Sequence, residues 1–202
     1  IEETIKQGKQ VLYLVPEIAL TTQLTDRLQA VFGKQLLVYH SRFSNAERVE
    51  IYREVRGGKV ILGARSAIFL PFKDLGLIIV DEEHEPSYKQ QDPAPRYHAR
   101  SAAIMMASWY GAKVLLGTAT PSVESYHNAM SGKYGLVEMR ERFQGLQLPK
   151  ITLVDLQRQY HRKEMYGHFS DPVVFRIREE IAKGKQVILF QNRRGYSPYL
   201  QC

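Results

Sequence analysis

The chain has 202 residues, 44% of them hydrophobic and 24% charged, an ordinary globular composition with enough length to bury a core. No apolar run approaches the length of a membrane-spanning helix, and a single cysteine excludes an internal disulfide. With 28 basic and 21 acidic side chains the net charge is +7, a balance that favours a polyanionic partner such as nucleic acid but is also common in proteins that bind none.

Ile1–Gly8 reads as the end of a helix, with Gly8 as its left-handed stop. The chain opens there without a Met or a signal-peptide pattern, so we expect a piece of a longer protein in a reducing, cytoplasmic setting. Val11–Val15 is expected as a buried strand, and Pro16 opens a helix over Glu17–Phe32 that Gly33 ends. Leu36–Tyr39 follows as a strand, then a helix over Asn45–Arg56 capped by Ser44, with Glu47 completing a capping box. Val60–Gly63 is the next strand. Leu77–Val80, four apolar residues in a row, has the pattern of a strand buried on both faces of a parallel sheet.

That strand runs directly into Asp81-Glu-Glu-His, at the carboxyl end where open α/β sheets place their sites. The prolines of Glu85–Tyr97 argue for an ordered loop. A helix over His98–Tyr110, a strand over Lys113–Gly117 and a helix over Pro121–Ser131 complete a βαβ series, hence a mostly parallel α/β sheet flanked by helices. Thr120 before Pro121 fits a helix N-cap. The pattern lapses over Glu138–Lys150, which suggests domains of about 1–145 and 146–202. Beyond lie an expected strand at Ile151–Leu156, a helix at Asp171–Lys183 and a strand at Gln186–Phe190. Gly184-Lys-Gln-Val-Ile-Leu-Phe echoes Gly8-Lys-Gln-Val-Leu-Tyr-Leu, as a tandem pair of related domains would. Gln157–Phe169 is rich in Arg, Lys, His and Tyr and is either a mobile stretch or a polyanion contact.

Asp81 and Glu82 suit a Mg²⁺-nucleotide site, one carboxylate holding the metal's water shell and its neighbour polarising the attacking water. A solvated acidic turn is the plainer alternative for that tetrapeptide alone. Four segments nevertheless follow strand ends in series: Pro16-Glu-Ile-Ala-Leu-Thr, Gly63-Ala-Arg-Ser-Ala-Ile-Phe, Asp81-Glu-Glu-His and Gly117-Thr-Ala-Thr-Pro-Ser. All four are therefore expected on one rim of the sheet.

In that order they resemble the first, RecA-like motor domain of superfamily 2 DExH helicases. The wording of Ser87-Tyr-Lys-Gln-Gln, Arg96-Tyr-His-Ala-Arg and Asn192-Arg-Arg-Gly-Tyr is similar to the bacterial replication-restart members. The resemblance implies an ATP-dependent DNA helicase acting at stalled forks, with primosome proteins and single-stranded-DNA-binding protein as partners. It makes Asp81 and Glu82 the catalytic Walker B pair, with Mg²⁺ held by Asp81 through water. It gives Glu83, His84, Thr118 and Thr120 the coupling of nucleotide state to movement. DNA contacts fall on Thr21, Arg65 and Ser66, and on Tyr88, Lys89, Arg96 and Tyr97 of an aromatic-rich loop. For Arg65 a surface ion pair is an equal alternative; for Tyr88 and Tyr97 it is packing onto their own loop; for Ile68, Phe69 and Phe72 core packing is preferred.

Arg193 and Arg194 would face the cleft that opens the second motor domain, and Cys202 would be the first of the family's Zn²⁺ ligands, needing others outside this chain. The spacing of His161, Glu164 and His168 suits no metal site. No Gly-x-x-x-x-Gly-Lys-Ser/Thr occurs, so the phosphate-cradling loop is expected before Ile1 and the piece alone is expected to be inactive. An RNA-remodelling DExH ATPase and a non-catalytic nucleic-acid-binding scaffold are the two alternatives.

Overall fold

The computed structural model describes residues 1–17, 22–40, 43–141, 145 and 149–190, in two compact units, Ile1–Val137 and Glu138–Cys202, each taken by itself.

In the first unit five short strands form one sheet: β1 (Gln10–Leu14), β2 (Leu36–Tyr39), β3 (Val60–Gly63), β4 (Leu75–Asp81) and β5 (Lys113–Gly117). Their order is β2-β3-β1-β4-β5 and every pairing is parallel. The register places Leu14 beside Gly63 and Val80, and Asp81 beside Gly117. The carboxyl ends of the strands therefore form one rim. This is an α/β, RecA-like arrangement of a mostly parallel sheet flanked by helices.

The pleat sorts the side chains. Leu12, Leu14, Ile61, Ile78 and Val80 point to one face, where they pack with Ala99, Ala103, Met106 and Ala107 of helix α4 (Ala99–Tyr110). Each fully buried Leu, Ile or Val contributes roughly 1.5–3 kcal/mol relative to exposure. On the opposite face Val15, Leu36, Val60 and Leu62 meet Ile5 of α1 (Glu2–Lys6) and Leu24, Leu28 and Phe32 of α2 (Thr22–Phe32). That cover lies over β1, β2 and β3. In consequence Leu77 and Ile79 of β4 are only half-buried and Leu115 of β5 is 54% exposed, so the expectation of burial on both faces holds for one face only.

Local chemistry sets the ends of the helices. Helix α3 (Asn45–Glu54) starts at the expected capping box, Ser44 accepting from the Glu47 amide while the Glu47 carboxylate accepts from the Ser44 amide. Gly111, at φ +62, ends α4 in the left-handed conformation a side chain would strain. Helix α5 (Val123–Met130) is capped by Ser122, whose hydroxyl accepts from the Ser125 amide. Thr120 is therefore not the cap, a correction: Pro121 lies ahead of the helix and the later serine reaches its free amides.

In the second unit α6 (Leu156–His161) is capped by the Asp155 side chain, a two-residue hairpin pairs β6 (Met165–Tyr166) with β7 (Phe169–Ser170), and α7 (Asp171–Ala182) follows. The basic stretch 157–169 is thus a helix and a hairpin. The strands expected at Ile151–Leu156 and Gln186–Phe190 are absent among the described residues. An apolar run becomes a strand only where its amides find a ladder, and these find none there. No helix among the described residues is long and apolar enough to cross a membrane.

Candidate active site

The site is built where β4 ends. Asp81 is the strand's last residue, and three groups hold it in place. The Tyr13 hydroxyl, from neighbouring β1, donates to Asp81 Oδ2 at 3.2 Å. The Glu82 amide donates to Asp81 Oδ1 at 3.0 Å, and the Tyr88 hydroxyl to the Asp81 carbonyl at 2.7 Å. Burial, reinforced by the Asp81 carboxylate, pushes the Tyr13 phenol up to about 12. The Tyr88 phenol is also pushed up, first by burial and then by Asp81. Both tyrosines therefore remain donors across the whole neutral range.

After Asp81 the chain turns sharply. Glu82 takes φ +48, a left-handed conformation uncommon for a residue with a side chain. The turn is closed by the Glu85 amide donating to the Glu82 carbonyl at 2.8 Å, and tied to β5 by the Glu83 amide donating to the Gly117 carbonyl at 3.0 Å. Successive side chains are thrown to different sides. Glu82 is 47% exposed at the rim, whereas the Glu83 side chain is fully buried.

His84 faces the Thr118–Thr120 segment that follows β5. Its Nδ1 lies 2.7 Å from Thr118 Oγ1 and 3.5 Å from Glu82 Oε2, and its Nε2 lies 3.4 Å from Thr120 Oγ1. Thr118 Oγ1 also accepts from the Thr120 amide at 3.0 Å. Asp81, Glu82, His84, Thr118 and Thr120 are thus brought together from two strand ends.

Asp81 retains unused lone pairs on a half-buried carboxylate, and Glu82 offers an exposed one beside it. Hard oxygen donors on a firmly held strand end fit a hydrated Mg²⁺ bound with a nucleotide's phosphates. Such an ion, when bound, neutralises phosphate charge. The chain's own part is to fix the Asp81 oxygens and to set Glu82 where it can take a proton from water.

The residues expected on DNA separate into groups. Tyr88 is fully buried with its hydroxyl committed to Asp81, so it is a packing residue and not a stacking platform, a correction. Arg65, at the start of a 3-10 turn over Arg65–Phe69, donates through Nη1 to the carbonyls of Ser87 and Lys89, each at 3.1 Å. Nη1 thereby ties the turn to the loop, and Arg65 forms no ion pair among the described residues. Ser66 is half-buried in the same turn. Ile68 and Phe72 are core, as expected, but Phe69 is 61% exposed and meets the Tyr97 ring edge-on with centroids 4.7 Å apart. Lys89 Nζ donates to the Arg96 carbonyl at 2.7 Å, and Arg96 is exposed. Thr21, Arg193, Arg194 and Cys202 lie outside the described residues.

The sequence reading missed Tyr13, Arg100, Ser122 and Ser125. Arg100, Ser122 and Ser125 all bond the buried Glu83 carboxylate. Burial alone would raise its pKa, but the hydrogen bonds from Ser122, Ser125 and Arg100 hold it below the usual carboxylate value. Arg100 stands at the end of the Arg96–Arg100 motif, and only that position hinted at it.

The sequence profile of the DEAD/DEAH box helicases matches residues 1–129. The chain belongs to the DEAD/DEAH box helicase family. It is 44% identical to replication restart protein PriA of Chlamydia pneumoniae, across 99% of this chain and 27% of that protein. Against replication restart protein PriA of Bacillus subtilis strain 168 the identity is 43%, across 100% of this chain and 25% of that protein. Against that of Haemophilus influenzae it is 42%, across 100% and 27%. The chain spans about a quarter of the length of these relatives.

Proposed function

We propose that this chain is part of an ATP-driven DNA helicase that opens DNA at stalled replication forks and begins reassembly of the replication machinery. The observation that carries the reading is the meeting of Asp81 and Glu82 with the His84–Thr118 pair on one rim of a parallel sheet. ATP with Mg²⁺ is the cofactor. Asp81 holds the hydrated metal, Glu82 takes the proton of the attacking water, and His84 with Thr118 and Thr120 exchanges partners as the nucleotide turns over. Glu83 anchors the turn.

Residues 1–145 make up most of a first motor domain and residues 146–202 begin a second. Since no phosphate-cradling Gly-x-x-x-x-Gly-Lys-Ser/Thr lies in the 202 residues, the amides and lysine that grip the phosphates come from elsewhere in the full protein. The piece alone is catalytically silent. Exposed Arg96, with Ser66, Lys89 and Tyr97 around the loop, meets the DNA, supported by the +7 charge. By the family resemblance alone, Thr21 is assigned a neutral phosphate contact, Arg193 or Arg194 a contact with nucleotide or DNA, and Cys202 a place on Zn²⁺ with ligands outside this chain. The similarity to proteins named for replication restart supports primosome proteins and single-stranded-DNA-binding protein as partners, and a cytoplasmic place of work.

Strand-separation assays on the full-length protein, with forked DNA and an RNA duplex of matched sequence, test the substrate. ATP-dependent opening of DNA with little action on RNA is expected. A preference for RNA would shift the reading to an RNA-remodelling ATPase. Binding without ATP turnover would leave a scaffold.

A further inference from the structure

The buried carboxylate of Glu83 joins three segments distant in sequence. Its Oε2 accepts from Arg100 Nη1 at 2.6 Å, from Ser125 Oγ at 2.8 Å and from Ser122 Oγ at 3.0 Å. Its Oε1 accepts from the Ser122 amide at 2.7 Å. Arg100 Nη1 also donates to Ser122 Oγ at 2.6 Å, and its side chain is only 13% exposed. Arg100 is the second residue of α4, while Ser122 and Ser125 form the capped start of α5, the segment that follows Thr118 and Thr120.

A charge removed from water is strongly unfavourable unless paired and hydrogen-bonded, and here four donors fill it. Such a node resists displacement because moving any one element exposes an unsatisfied charge. Its neighbour in the chain is Glu82, held at φ +48, a conformation that persists only where the surroundings over-determine it. On one side the restraint is Asp81, fixed by Tyr13 and Tyr88. On the other it is Glu83.

We propose that Arg100, Ser122 and Ser125 are positioning residues for hydrolysis: by gripping Glu83 they hold the left-handed Glu82 at the rim and keep His84 in register with Thr118 and Thr120. The inference rests on the ATPase reading above and names the residues that make its geometry. None of the three touches the reacting atoms. A shift of about 1 Å at a reacting group can lower a rate on the order of 100-fold. The node thus acts on turnover more than on nucleotide binding.

The test uses the full-length protein with Ser125→Ala, which removes one donor of four, and Arg100→Lys, which keeps the charge but loses the fork. ATP turnover, the KM for ATP, the unfolding temperature and hydrogen exchange of the 82–85 amides without nucleotide are measured together. Expected is a fall in kcat of roughly 10- to 100-fold with KM within about threefold, and faster exchange confined to 82–85. Ser125→Thr, which restores a hydroxyl, recovers most of the rate. Wild-type kcat per folded molecule in both variants, with or without a lowered unfolding temperature, overturns the proposal. If the wild type itself hydrolyses no ATP, the ATPase reading fails. The exchange comparison then still decides the anchoring, and unchanged exchange at 82–85 in both variants overturns it.

Discussion

Asp81 and the two tyrosines on it are where single atoms can be tested. Tyr13 ionises at about 12 in the folded chain against an ordinary value of 10.0. A pKa raised by folding means stability that is fully present below pH 10 and lost as pH rises through about 12. Tyr13→Phe should therefore flatten the alkaline fall in unfolding free energy and cost about 1–2 kcal/mol near neutrality. A phenolate absorbance titration checks it, since one late-titrating tyrosine should vanish in the variant. Glu83 gives the opposite sign. Its pKa is lowered, so its contribution is present above the ordinary carboxylate value of 4.5 and lost as pH falls through the folded value. Glu83→Gln should be less stable at neutral pH and show a shallower acid limb in denaturant titrations. An acid limb as steep as the wild type's would mean Glu83 is not the titrating anchor.

At the scale of elements, the close approach at the end of β3 is the most exposed to a single atom. A Cβ on Gly63 would sit 2.5 Å from the Ala67 Cβ and 2.9 Å from the Tyr39 carbonyl. Gly63→Ala should destabilise by about 1–3 kcal/mol in denaturant unfolding, because backbone cannot swing aside as a flexible side chain does. The strands of the sheet were legible because Val11–Val15, Val60–Gly63 and Leu77–Val80 each join an apolar run to a turn signal. Gln186–Phe190 carries the same signal and forms no strand, since periodicity reports what a segment can bury and not whether a ladder is beside it. The α5 cap was misplaced for a similar reason: Thr120 and Ser122 are both good caps, and only the path of the chain chooses. Asp81, Glu82, His84 and the two threonines were legible as a group because they follow strand ends. The Glu83 node was not, because Arg100 and Ser122 stand 17 and 39 residues away and a run of three acids reads as solvated.

For the whole molecule, the chain carries the acidic half of the proposed nucleotide site and, in its 202 residues, no Gly-x-x-x-x-Gly-Lys-Ser/Thr. Its similarity extends to about a quarter of proteins named for replication restart. The half-covered face of β4 and β5, with Leu115 exposed, is apolar surface that no helix covers among the described residues. The proposed role of Glu82, held at the rim, is to drive ATP hydrolysis coupled to DNA. It is tested most directly by ATP turnover of the full-length protein, wild type against Glu82→Gln, with and without forked DNA. Turnover is expected to rise with forked DNA and to fall at least about 100-fold in the variant, with ATP still bound. Turnover in Glu82→Gln equal to the wild type's would contradict it.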